Sequence, residues 1–401
     1  MPWSLNLVVI ISVAALPFEV YAASRISRAI TTITSWPLKR VRPATFIIVL
    51  YPDLYPLVSW LEFSINHRVP TQRAGAVWDA LLTYPFWCGI VIVVQISLIL
   101  IAIDVASLLS RLILRTKRDR IRYIAAWMVA GGAVLTPVYC AYRIWSDMYT
   151  VKVIHRTVTI PGLPAELDGL KIAQITDVHV DNRTHGAKLA NYLNMVNGTF
   201  PDLVLFCGDL ISSGPSYIDE AAAALGQLKA RYGVYACLGD HDYFTDPDLV
   251  ARALEKNGLT VIRNAVKVVP VGGSQLSLTG VTNVYAERPS KRELDRLIAL
   301  RPNTALDVFF THQPSNSLVS TVAQNRYPLF IAGHTHGGQI VFPLPGFLLT
   351  GSTFETHYVT GFFNQGSTLI SICNGLGMTL APIRYQAPAE VVVIEVRAAG
   401  R

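Results

Sequence analysis

Between residues 81 and 142 the chain carries two runs that are too long and too apolar for the surface of a soluble fold. PFWCGIVIVVQISLILIAIDVASLL (residues 85–109) and YIAAWMVAGGAVLTPVYCAY (residues 123–142) each supply the roughly 20 residues that a helix needs to cross a hydrocarbon core of about 30 Å. Two further apolar stretches precede them, at about residues 4–23 and 44–62. The first lacks the basic start of a secretory signal and is followed by other spans, so a retained helix is expected. The second contains Pro52, Asp53 and Pro56, which leaves open whether it spans, re-enters or lies at the interface. Hydrophobic residues make up 51% of the 401, and the excess lies almost entirely before residue 150. Residues 1–150 therefore read as a membrane region with three or four transmembrane helices, and residues 151–401 as a separate domain.

Charge follows the same division. Residues 1–156 hold 16 Lys/Arg against 7 Asp/Glu, leaving 18 against 20 for the remainder. The basic residues fall in short segments between apolar runs, where they set topology rather than bind nucleic acid, and no nucleic-acid partner is expected. Arg25, Arg28, Lys39, Arg40 and Arg42 separate the first two runs, and Arg111, Arg115, Lys117, Arg118, Arg120 and Arg122 separate the last two. The intervening loop has only Arg68 and Arg73. Both rich segments should be cytoplasmic, which sends the last span outward and places the domain after residue 150 in the extracytoplasmic space of a cell (inner) membrane. The five cysteines, Cys88, Cys140, Cys207, Cys237 and Cys373, have neither disulfide-framework nor zinc-knuckle spacing and read as small buried residues.

After residue 150 short β-rich runs alternate with helices, the pattern of an α/β domain. Strands are expected at 171–176, 203–207, 234–238, 276–281, 306–311, 327–332, 368–373 and 390–396. Ser290 with Glu293 predicts a capped helix through about 299, and Asp246-Pro247 with Gly258 frames another. Five of these strands are followed at once by chemistry-bearing residues: Asp177-Val-His179, Gly208-Asp209, Gly239-Asp240-His241-Asp242, His312, and Gly333-His334-Thr335-His336-Gly337-Gly338. The carboxyl ends of strands are where α/β sheets build their sites. A lone His is most often structural, but five such elements in order are a ligand set. Carboxylates with imidazoles and no thiolate suit Mn, Fe or Zn in open catalytic sites.

The order D-x-H, G-D, G-(N)-H-D, H, G-H-x-H resembles the calcineurin-like metallophosphoesterase superfamily. The run Gly333-His334-Thr335-His336-Gly337-Gly338-Gln339 is similar to its membrane-associated bacterial branch, which includes YkuE-like proteins and UDP-2,3-diacylglucosamine hydrolases. The resemblance spans about residues 171–396. It implies a double β-sandwich flanked by helices, a four-layer α/β/β/α domain, and two divalent transition-metal ions. It also implies Asp177, His179 and His336 on one metal, Asp240, His312 and His334 on the other, and Asp209 bridging both. The implied reaction is hydrolysis of a phosphomonoester, phosphodiester or pyrophosphate by hydroxide that the metal pair activates. His241 would protonate the leaving oxygen and Asp242 would orient it, although an Asp at a helix start also serves as a cap for backbone N–H groups.

One position departs from the family pattern, which has Asn where this chain has Asp240. Against two divalent ions, three ligand carboxylates leave one positive charge where the Asn version leaves two. The centre should then be a weaker Lewis acid, or better matched to Fe(III) at one position. If the extra carboxylate merely tunes a working site, Asn at 240 should keep both metals and preserve or raise turnover; if the site is built around the carboxylate, Asn at 240 should lose metal. The motifs do not name the substrate. The apolar run VFPLPGFLL (residues 341–349) directly after the His-x-His loop points to a lipid- or nucleotide-linked phosphorylated molecule at the bilayer, with UDP-2,3-diacylglucosamine as the single best candidate. Read blandly, the same run is a buried loop. Arg384 is a candidate phosphate donor set against an ordinary surface arginine. The competing class is a metal-loaded binding module for phosphorylated envelope material without turnover.

Overall fold

The computed structural model describes residues 2–67 and 75–399, so Arg68 and Arg73 lie outside the described residues. Two compact units emerge: Met1–Ser146 together with Leu380–Tyr385, and Asp147–Thr379 together with Gln386–Arg401. The second unit thus begins slightly before the pattern change at 151, and the segment Leu380–Tyr385 belongs with the helices.

Among the described residues, four helices of the first unit are long and apolar enough to cross a membrane: Trp3–Thr34, Leu38–Asn66, Ala76–Ile113 and Arg115–Tyr149. The doubtful second stretch is therefore a span candidate like the others, its Pro52 and Asp53 accommodated in a single 3₁₀ turn, Tyr51–Asp53. Pro52 also explains a glycine: a Cβ on Gly89 would stand 2.6 Å from Pro52 Cγ, so only Gly lets the helices approach there. Ala22, Ala29, Ile96, Leu100 and Val129 pack together in this unit. Arg25 corrects the reading of its segment as a loop. It lies inside the first helix, its Nε donating to Asp104 Oδ2 at 2.9 Å, and Tyr21 Oη donates to the same oxygen at 2.9 Å. An ion pair with a third partner is how a charged side chain is tolerated among apolar helices. Arg384 is a second correction. It is only 1% exposed and sits in the helical unit, so it is no surface arginine. In the same segment Tyr385 Oη donates to Gln95 Oε1 at 2.9 Å.

The second unit holds two six-stranded sheets. The first runs in the order β1 (Val151–Ile160), β14 (Ala389–Ala398), β2 (Lys171–Ile175), β3 (Leu203–Cys207), β4 (Val234–Cys237), β5 (Thr260–Val261). The second runs β12 (Gly361–Gln365), β13 (Thr368–Ile372), β9 (Leu329–Ala332), β8 (Leu306–Thr311), β7 (Ser274–Val281), β6 (Ala265–Val271). The strand pairs β2 with β3, β3 with β4, and β8 with β9 are parallel, so their carboxyl ends point one way within each sheet.

Strand alternation decides the layers. Ile172, Leu205, Leu278, Val308, Phe310 and Ile331 face one another between the sheets. Their neighbours in sequence turn outward. Ala173, Val204 and Phe206 meet Leu193, Leu225 and Leu254 of the helices Gly186–Asn197, Ile218–Leu225 and Pro247–Lys256. On the opposite side Phe309, Phe330 and Ile370 meet Leu297 and Val319 of the helices Lys291–Ala299 and Asn316–Gln324. The result is the expected four-layer α/β/β/α double sandwich. Fully burying each such Leu or Phe contributes roughly 1.5–3 kcal/mol. Gln174 ties the sheets across the core: its Nε2 donates to Ala332 O at 2.7 Å and its Oε1 accepts from Ser371 Oγ at 2.6 Å.

Candidate metal centre

Five loops leave the carboxyl ends of β2, β3, β4, β8 and β9, and every predicted ligand stands on one of them. The backbone is forced into position. Asp177, His179, Asp209, His334 and His336 all adopt positive φ, between 47° and 71°. A non-glycine residue there costs on the order of 1 kcal/mol or more and persists only where its surroundings over-determine it. Two glycines make room. A Cβ on Gly208 (φ +88°) would fall 2.4 Å from Gly239 N, and one on Gly333 would fall 2.0 Å from Thr176 Oγ1.

The seven side chains form two groups that share one atom. Asp177 Oδ1 lies 3.4 Å from His336 Nε2, which lies 3.1 Å from His179 Nε2. Asp240 Oδ2 lies 3.2 Å from His312 Nε2 and 3.0 Å from His334 Nδ1. Asp209 Oδ2 is 3.4 Å from His179 Nε2 and 3.4 Å from His312 Nε2, one oxygen within reach of both groups.

The remaining atoms explain why these ones converge. Asp177 Oδ2 accepts from Thr176 Oγ1 at 2.7 Å and His334 N at 2.9 Å, which turns Oδ1 inward. Asp209 Oδ1 accepts from His241 N at 2.8 Å, which turns Oδ2 inward. His312 Nδ1 donates to Cys207 O at 2.8 Å, leaving Nε2 for the centre. Asp177 Oδ1 is buried with no hydrogen-bond partner, a carboxylate oxygen facing imidazole in a place that calls for a cation. Carboxylate and imidazole donors within 4.8 Å of one another fit a pair of transition-metal ions.

The profile of the calcineurin-like phosphoesterase family matches residues 170–338. Over that stretch the chain is similar to that family. An uncharacterized metallophosphoesterase of Bacillus subtilis, YkuE, is 27% identical over 275 residues, covering 67% of this chain and 93% of the relative. A transmembrane protein with a metallophosphoesterase domain from Danio rerio is 28% identical over 277 residues, covering 66% of this chain and 62% of that protein. An uncharacterized metallophosphoesterase of Campylobacter jejuni is 27% identical over 294 residues, covering 71% of this chain and 74% of the relative.

In this domain the charges that the seven side chains impose on one another follow from the geometry. Burial alone would lower the pKa of His334, but hydrogen bonds to the Asp240 and Glu355 carboxylates overcome it and push the value up to about 9. Burial likewise opposes the charge on His312, yet Asp209 and Asp240 raise its pKa well above the ordinary imidazole range. Burial would raise Asp209 and Asp240; the surrounding imidazoles win and hold both below the usual carboxylate range.

His241 stands beside the first group, its ring centroid 4.6 Å from that of His179. Asp242 departs from the orienting role that the family resemblance implies. Its carboxylate is taken up by backbone, accepting from Gly239 N at 2.8 Å, Asp209 N at 3.0 Å and Leu210 N at 2.9 Å. The capping reading describes these contacts, and Asp242 fastens the loops after β3 and β4 together. Burial first and the Asp209 charge second push its pKa up to about 7. The partners of the His241 ring are instead Ser212 O, 2.5 Å from Nδ1, and Thr379 Oγ1, 3.2 Å from Nε2.

Three neighbours escape a reading of the sequence: Tyr285, Gln313 and Glu355. Glu355 Oε2 lies 2.9 Å from His334 Nε2, and Gln313 Nε2 donates to Asp240 Oδ2 at 2.8 Å. Only Gln313 leaves a trace, as the residue after His312. The apolar run at 341–349 is a hairpin, β10 (Phe342–Leu344) with β11 (Phe347–Leu349). It is not a buried loop: Phe347 is 58% exposed, and Phe354, next to Glu355, is 88% exposed.

Proposed function

We propose that the chain hydrolyses a phosphoester or phosphoric anhydride bond of an amphiphilic molecule at a membrane. The observation that carries this is the single oxygen, Asp209 Oδ2, placed 3.4 Å from an imidazole of each ligand group. Asp177, His179 and His336 would hold one ion, Asp240, His312 and His334 a second, and Asp209 both. Mn, Fe or Zn suits these donors, with Fe(III) at one position favoured by the carboxylate of Asp240. Bound there, the ions supply Lewis acidity to phosphoryl oxygens and to water.

The protein's own groups do the rest. Asp177 and Asp209 each give one oxygen to N–H or O–H donors, and Asp240 is held through both of its oxygens, which fixes the three carboxylates before any ligand arrives and removes reorganisation from the reaction. His241 is the candidate proton donor to the leaving oxygen. Its Nδ1 is anchored on Ser212 O, and its Nε2, 3.2 Å from Thr379 Oγ1, is the nitrogen that would carry the transferred proton. The exposed hairpin and Phe354 support an apolar chain on the substrate. UDP-2,3-diacylglucosamine is one molecule of that kind. Four apolar helices support a site held at a bilayer, and the basic residues flanking them support an extracytoplasmic domain in the cell membrane.

The test is turnover of p-nitrophenyl phosphate and bis(p-nitrophenyl) phosphate by the purified full chain, stripped with chelator and reloaded with Mn(II). Activity that returns with metal and is absent in Asp209→Asn supports hydrolysis. Two bound ions without turnover of any phosphoester would instead establish the binding module, and no bound metal would remove both readings.

A further inference from the structure

Besides the imidazoles of His312 and His334, the carboxylate at 240 has two donors. Asp240 Oδ1 accepts from the backbone N–H of Tyr285 at 2.6 Å. Asp240 Oδ2, the oxygen facing His312 and His334, also accepts from Gln313 Nε2 at 2.8 Å. The amide of Gln313 is held in that sense because its Oε1 accepts from Arg288 Nη2 at 3.3 Å, and a guanidinium only donates.

An Asn at 240 fails in both orientations of its amide. With its oxygen toward the imidazoles, its NH₂ meets the N–H of Tyr285. With its oxygen toward Tyr285, its NH₂ meets Gln313 Nε2 and turns a donor toward the metal position. Two donors in contact at a buried position leave both unsatisfied, which costs more than an absent bond.

The same Tyr285 acts on a second ligand of the same group. Its Oη donates to Glu355 Oε1 at 2.6 Å, and Glu355 Oε2 accepts from His334 Nε2 at 2.9 Å. A carboxylate on the outer nitrogen of a ligand His fixes its tautomer and leaves Nδ1 for the ion. Tyr285 therefore touches Asp240 through its backbone, and His334 both directly, with Oη 3.4 Å from Nε2, and through Glu355.

We infer that Tyr285, Gln313 oriented by Arg288, and Glu355 are positioning residues that make the second metal position carboxylate-specific at 240. This rests on the dinuclear reading above. The first position, Asp177 with His179 and His336, has no part in the set.

The experiment titrates Mn(II) into the full chain in detergent after chelation, reading metal per chain by elemental analysis and the exchange-coupled pair by electron paramagnetic resonance. Wild type takes two ions and shows the coupled signal. Asp240→Asn retains one ion and loses the coupling. Gln313→Ala and Glu355→Ala weaken the second ion by about 10- to 100-fold and leave the first unchanged. Glu355→Gln, whose Oε1 still accepts from His334, recovers most of that loss. A merely structural role would weaken both ions together and would not distinguish Gln from Ala at 355. Should Asp240→Asn not fold, the 313 and 355 variants decide alone. Two ions bound by Asp240→Asn with wild-type affinity, or wild-type second-ion affinity in both alanine variants, overturns the inference. A wild type that binds no metal overturns the dinuclear reading, a separate result.

Discussion

The Nδ1 of His241 lies 2.5 Å from the carbonyl oxygen of Ser212. A carbonyl only accepts, so Nδ1 carries a proton and the working nitrogen of this ring is Nε2. If His241 protonates a leaving oxygen, His241→Ala should lose about 10²- to 10⁴-fold in kcat on a substrate with a poor leaving group while keeping both metals. On 2,4-dinitrophenyl phosphate, whose leaving group needs no proton, the loss should shrink to a few-fold. An equal loss on both substrates would assign His241 to metal or phosphate binding instead.

Metal removal should expose a pH dependence that metal suppresses. In the fold without bound ions the pKa of His334 is raised to about 9, against an ordinary value of roughly 6.5. A raised folded-state value contributes stability that is complete below the unfolded value and is lost as pH rises through the folded one. The melting temperature of the chelated protein should therefore fall between about pH 6.5 and 9, and Mn(II) binding within that window should release protons. Calorimetry in buffers of different ionisation enthalpy measures the release. A flat melting profile for the chelated protein over that range would contradict the assignment.

Asp242 makes a prediction of a different sign from an orienting residue. Its carboxylate accepts three backbone N–H groups, of Gly239, Asp209 and Leu210. Asp242→Ala should orphan all three, at roughly 1–3 kcal/mol each, and lower metal occupancy along with thermal stability. Loss of rate with stability and metal content intact would restore the role of orienting His241.

The basic residues around the junction between Ala76–Ile113 and Arg115–Tyr149 predict orientation. A reporter active only outside the cytoplasm, fused after Ala399 of the full chain, should be active. Activity confined to a cytoplasm-dependent reporter at the same place would invert the topology.

The five site loops are legible in the sequence because each is punctuated: a β-rich run, then an acid or a histidine, with glycine at the turn in three of them. The capped helix Lys291–Ala299 is legible for a similar reason, since Ser290 and Glu293 form the expected reciprocal cap. By contrast β1 pairs with β14 from Val151 to Ile160 yet shows no clean alternation, because its side chains are mostly half-buried or exposed on both faces. Arg25 reads as a loop residue since its partner Asp104 is 79 positions away. Tyr285 and Glu355 act through loops that follow no period, and a hydrogen bond across 70 residues leaves no local mark. Nothing in composition foretells that Asp177, His179, Asp209, His334 and His336 all take positive φ.

That last feature sets stability and chemistry against each other at single positions. Glycine is the residue that a left-handed backbone prefers, and at 177, 179, 209, 334 or 336 it would relieve local strain while deleting a donor. A library of this domain sorted only for heat resistance would drift toward glycine at those five sites and emerge sturdier and metal-free. Any thermostabilised form meant to keep its centre has to gain its increments elsewhere, in the sheets and helices that hold these loops in place.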